Sequence, residues 1–191
     1  MQLIHPTQTS LVRGAFTSRN WRRARATVAF ALLCLTAVSC GGDGPLAPEL
    51  GSGSLTASGA VSTSGTGLAI FQSVSSGGTS LFQILVAPVS QTATTWQLQI
   101  ANYSGRLAPG TYNLLPLSGS STAPTANFYY TSGGNIQVFS STSGQLVITS
   151  SSSSTVRGTF TFTATDPTNG TSTVTAQGAF DAQCAPGTAC Q

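Results

Sequence analysis

Few side chains in this 191-residue sequence can do chemistry, and the cysteines are the most telling of them. Cys184 and Cys190 bracket Ala185-Pro186-Gly187-Thr188-Ala189 near the C-terminus. In an oxidising compartment that pair reads as a small disulfide loop turned by Pro186-Gly187. A metal site would need further ligands, and the one histidine, His5, lies far upstream, so neither metal nor cofactor is expected. Acid–base catalysis wants a histidine or paired carboxylates with tuned pKa values. Asp166 falls in an Asp-Pro-Thr-Asn-Gly turn, and Asp181 reads as an exposed charge at a strand end. Serines abound, but no histidine or lysine follows residue 40 to activate one. No phosphate-cradling loop and no nucleophile elbow is present. The expectation is a protein that is not an enzyme. Arg106 and Arg157 are candidate carboxylate clamps, with a salt bridge as the plainer role for Arg157. Tyr103 and the pair Tyr129-Tyr130 are candidates for a sugar-stacking surface. Neighbours on a strand face opposite ways, so one of Tyr129 and Tyr130 belongs to the core.

Cys40 offers another chemistry. Residues 1–25 hold Arg13, Arg19, Arg22, Arg23 and Arg25 and no acid. Ala26–Val38 is uncharged and apolar, shorter than the roughly 20 residues that span a bilayer but suited to a signal core. Small Ser39 precedes the cysteine. The arrangement is similar to a bacterial lipoprotein signal, with Ala37 where leucine is commonest three residues before the cysteine. That similarity implies cleavage before Cys40, acylation of its thiol and new amino group, and a membrane anchor in the cell envelope. Gly41 stands where an aspartate would favour the inner membrane, which favours the outer one. The alternative is an ordinary secretory signal or anchor helix in which Cys40 is incidental. Gly41–Gly53 reads as a Gly/Pro tether with a root-mean-square reach of roughly 20 Å. The expected division is residues 1–39 as a cleaved signal, 40–54 as lipidated cysteine and tether, and 55–191 as one domain.

Cleavage at Cys40 changes the charge. The whole chain carries +3, but five of its seven arginines precede Cys40. Beyond it Arg106 and Arg157 face Asp43, Glu49, Asp166 and Asp181, a net charge of −2. No basic patch remains for phosphates, so nucleic-acid binding is not expected.

The elements that must position these residues follow a period of two. Trp96, Leu98 and Ile100 alternate with Gln97 and Gln99; Val156, Gly158, Phe160, Phe162 and Ala164 alternate with Arg157 and three threonines; Val174, Ala176, Gly178 and Phe180 alternate with Thr175, Gln177 and Ala179. One apolar and one polar face mark half-buried antiparallel strands. Less regular apolar runs occupy Leu68–Val74, Leu81–Val89, Tyr112–Leu115, Phe128–Tyr130, Ile136–Phe139 and Leu146–Thr149, with Leu55–Val61 weaker. Turn signals include Ser76-Gly77-Gly78, Ala108-Pro109-Gly110, Ser118-Gly119-Ser120, Ser132-Gly133-Gly134-Asn135 and Ser143-Gly144. The polar run Ser150–Thr155 reads as one more turn. The fold class is all-β, an antiparallel β-sandwich or small closed barrel of about nine or ten strands.

Gly110-Thr111-Tyr112, Gly144–Thr149, Val156–Ala164 and Gly178-Ala179-Phe180 together resemble a family of uncharacterised small bacterial lipoproteins. The resemblance implies an all-β domain in the envelope and supplies no catalytic positions. Three roles fit this reading. The first is a structural or interaction module that recruits a protein partner by β-edge pairing, since a body without lysine lacks the usual edge blockers. The second is a lipocalin-like carrier whose lumen is lined by residues such as Trp96, Phe160 and Phe162. The third is a membrane-spanning barrel.

Overall fold

A computed structural model describes residues 50–191, apart from Gly77, Gln91, residues 118–121, Ala189 and Gln191. The signal segment, Cys40, the tether to residue 49 and the turn signal Ser118-Gly119-Ser120 lie outside the described residues. The described residues form nine strands and no helix. In chain order they are β1 (Gly51–Gly59), β2 (Thr63–Ser76), β3 (Thr79–Ala87), β4 (Thr94–Asn102), β5 (Gly110–Asn113), β6 (Thr125–Ser132), β7 (Asn135–Ser151), β8 (Thr155–Thr165) and β9 (Thr173–Cys184).

Eight of them close a ring in the order β1-β2-β3-β4-β6-β7-β8-β9, each antiparallel to its neighbours, with β9 returning to β1. The fold is thus the closed barrel, not the sandwich. The strands are staggered around the ring. From Ser52 the paired row runs through Asp181 and Arg157 to Ser150, whereas from neighbouring Gly51 it runs through Ala69, Val86, Leu98 and Phe128 to Phe139. A tilted barrel closes only with such an offset. β5 stands outside this count: it pairs with Gln145–Ile148 of β7, in line with β6, which pairs with the earlier part of β7.

The alternating strands deliver their apolar side to the inside. Phe71, Phe82, Phe128, Phe139 and Phe162 are among the largest side chains buried there, with Trp96 beside them. Ring pairs Phe71–Phe82 and Phe128–Phe139 lie 6.1 Å apart, within the range of favourable tilted contacts. A membrane-spanning barrel needs a polar interior and an outward apolar band all round. This barrel has the opposite polarity.

Two expectations need correction. Ser143-Gly144 does not turn the chain: Ile136–Phe139 and Leu146–Thr149 belong to one long β7, with a register shift between Ser141 and Ser143. A β-bulge absorbs the extra residue and bends the strand where its neighbour changes from β6 to β5. The tether boundary also moves, because β1 begins at Gly51. Gly51 and Gly53 are there for close approach, not flexibility. A Cβ on Gly51 would collide with the carbonyls of Asp181 and Ala69, and one on Gly53 would lie 2.5 Å from Val86 Cγ1.

Closure removes most strand edges. Among the described residues, β5 has one partner strand, and β2 beyond Phe71 is flanked only by β3, since β9 ends at Cys184.

Candidate functional site

Val156, Phe160, Phe162 and Ala164 of β8 fill the interior, so Thr159, Thr161 and Thr163 face out. Register lines these hydroxyls up across the wall. One row is Thr56, Gln177, Thr161, Gln145 and Asn113; the next is Ser54, Ala179, Thr159, Val147 and Thr111. Side chains in a row are spaced by the strand separation, about 4.8 Å. Here the wall holds a hollow of about 450 Å³ lined by Ser54, Thr56, Gln145, Val147, Thr159, Thr161 and Gln177. No side-chain hydrogen bond engages Thr56, Gln145, Thr159, Thr161 or Gln177 within the described chain, and none carries a charge. The hollow can therefore offer neutral donors and acceptors to a polar ligand.

Gly178 lines the floor, and the packing beneath is reciprocal. Phe160 stands across from Gly178, and Phe180 across from Gly158. A Cβ on Gly178 would meet the Ser54 carbonyl and lie 2.6 Å from Phe160 Cζ; one on Gly158 would meet the Val147 carbonyl and lie 2.8 Å from Phe180 Cζ. Each ring fills the space its opposite glycine leaves.

The candidate residues from the sequence fall in different places. Cys184 and Cys190 are joined in a disulfide. Their loop is held at one barrel end, where Ala185 N donates to Phe71 O (2.8 Å) and Thr188 Oγ1 to Ala185 O (2.7 Å). Arg106 is occupied there: Nε donates to Ser151 Oγ (3.0 Å), Nη1 donates to Cys190 O (3.1 Å), and the guanidinium lies 5.0 Å from the Phe71 ring centre. Burial pushes its pKa down from the ordinary guanidinium value, and Nη2 is buried without a partner. Arg157 pairs with Asp181 at 2.9 Å, as register places them opposite each other. With the two side chains 58% and 38% exposed, such a pair contributes at most about 1 kcal/mol. Neither arginine is a free clamp. Asp166 is the turn residue the sequence suggests, accepting from Thr168 N (2.8 Å), Thr168 Oγ1 (2.6 Å) and Asn169 Nδ2 (3.1 Å). It does not meet Asp181: β9 separates them by eight residues, roughly 25 Å of strand.

Tyr130 packs against the core, while Tyr129 donates its hydroxyl to Gln99 Oε1 (3.1 Å). Burial, then the nearby Tyr103, raise the Tyr129 pKa above 10.0. Ser141, not among the candidates the sequence offers, is fully buried at the β7 bulge. Its Oγ accepts from Ala126 N (3.0 Å) and donates to Leu115 O (3.0 Å). Nothing marks it among so many serines.

These features define a closed up-and-down β-barrel with a packed interior and a hydroxyl- and amide-lined hollow on its outer wall. The chain belongs to DUF6252, a domain of unknown function, which matches residues 84–182. The match runs from within β3 to within β9, so β1 and β2, which complete the ring, lie outside it. No curated protein and no solved structure matches the chain.

Proposed function

We propose that this is a bacterial lipoprotein, anchored to a membrane of the cell envelope through acylated Cys40, whose barrel works by binding at its outer wall and not by catalysis. The observation that carries the binding role is where the space lies. Phenylalanines occupy the interior, while the 450 Å³ hollow sits among unengaged hydroxyls and carboxamides outside. The run Leu35–Cys40 after an apolar core supports the anchor. Gly41 favours the outer membrane. A lipocalin-like carrier ranks behind, because an apolar ligand would have to displace side chains such as Phe162 and Phe128. A protein partner that adds a strand would have to use the end of β2 or the outer side of β5.

Labelling with a palmitate analogue followed by membrane fractionation tests the reading. The wild-type chain is expected to take up label and sediment with membranes, and Cys40→Ser to lose both properties. An unlabelled wild-type chain in the soluble fraction would contradict it.

A further inference from the structure

The wall opposite the hollow has a different character. Phe71, Phe82, Ile84 and Val86 point into the core, so Leu68, Ile70 and Val74 of β2 and Leu81, Leu85 and Ala87 of β3 point out. Register sets Leu68 across from Ala87, Ile70 from Leu85 and Val74 from Leu81. The only polar pair among them, Gln72 and Gln83, bonds amide to amide at 3.0 Å and so satisfies itself. Strands that are apolar on both sides are the kind covered on both faces. Leu85 and Ala87 are buried and Leu68, Ile70 and Leu81 half-buried, so the open part of this wall is its Val74 end. Tyr103 follows β4 in the position next to Leu81, and Val74 and Tyr103 are 45% and 44% exposed.

Charge and chain path identify what this wall fits. No charged residue occurs from residue 50 to residue 105, so β1 to β4 present no ion to be desolvated. The chain arrives at Gly51 beside Ala69, one step from Ile70. Ten residues lie between Cys40 and Gly51, and eleven steps of about 3.5 Å keep the cysteine within about 38 Å of Gly51. The β2–β3 hairpin runs past the end of β9 on the side from which the chain comes. Tyrosine suits the boundary between lipid and water.

We propose that the open end of the β2–β3 wall meets the lipid bilayer, with the Val74–Leu81–Tyr103 row dipping into its surface. The inference builds on the reading of Cys40 as the anchor. In the eight-strand ring β8 stands opposite β3, so this seating turns the hydroxyl-lined hollow away from the lipid.

Tryptophan reporters test it. The full processed chain carrying Tyr103→Trp, or Thr161→Trp on the opposite wall, is reconstituted into neutral phosphatidylcholine vesicles with brominated acyl chains. Interior Trp96 gives the same background in both. Trp fluorescence is expected to be quenched more strongly in the Tyr103→Trp chain, and adding Leu81→Glu is expected to remove the difference. Equal quenching in the two chains overturns the proposal, as does a lipid-free dimer that hides the position-103 reporter from acrylamide. Adding Cys40→Ser to both chains at excess lipid separates this inference from the anchor. Membrane capture that depends on Cys40, without preferential quenching at position 103, keeps the anchor and overturns the seating. Preferential quenching in a chain whose Cys40 bears no lipid supports the seating and rejects the anchor.

Discussion

Phe160 and Phe180 keep their places because Gly178 and Gly158 stand across from them. The alternation in β8 and β9 announces these positions as inward-facing, but not that two of them must lack a side chain. That requirement comes from a neighbouring carbonyl and a ring tip, both set by register. Gly178→Ala and Gly158→Ala are each expected to lower unfolding stability by about 2–3 kcal/mol in denaturant titration. Gly65→Ala, whose new carbon would meet nothing nearer than 3.4 Å, is expected to change it by less than about 1 kcal/mol. Equal effects at these sites would remove the packing argument. At Asp166 the Thr168 hydroxyl, then the Thr168 amide, hold the carboxyl below its ordinary 3.8. A pKa depressed in the folded state means the turn is favoured above the unfolded value and loses that support as pH falls through the folded one. Protection of the amides in the 166–172 loop, taken relative to the intrinsic exchange rate at each pH, is therefore expected to fall in acid, and Asp166→Asn to blunt that dependence.

Between residue and barrel, legibility depended on the periodicity of each strand. β4, β8 and β9 show a period of two because one face meets the core and the other meets water. β2 and β3 hide it, since both their faces are apolar. β7 reads as two strands in the sequence because a bulge in mid-strand uses the same Ser-Gly residues as a turn. Gly51 and Gly53 read as tether because a glycine chosen for close approach looks, in a sequence, like one chosen for freedom. Ser141 could not be found from the sequence, as its role follows from the bulge that buries it. Ser141→Ala strands the Ala126 amide and the Leu115 carbonyl, and is expected to cost about 2 kcal/mol in the same titrations. The disulfide is legible from the short spacing of Cys184 and Cys190 around Pro186-Gly187. Cys184→Ser with Cys190→Ser is expected to cost about 2 kcal/mol by loop-closure entropy, with melting shifted down and the barrel's circular dichroism unchanged at low temperature. Loss of the β-sheet signal under those conditions would show instead that the loop is required for folding.

Across the whole molecule, ring closure reconciles a charge-poor composition with a defined outer surface. The first four strands carry no charge, and β2 and β3 among them present an apolar wall, whereas β8 and β9 present aligned threonines and glutamines. The hollow is not legible, because it depends on which outward residues four strands bring into adjacent rows. The sequence showed only that those residues are polar. A neutral hollow implies ligand affinity that varies little with ionic strength, since no phosphate or carboxylate contact is screened there. The proposed anchor would order these surfaces relative to a membrane, and everything proposed about location depends on Cys40. Intact mass spectrometry of the mature protein tests that claim most directly. The account expects a chain that begins at Cys40 and carries acyl groups there; an unmodified Cys40, or cleavage at another position, would contradict it.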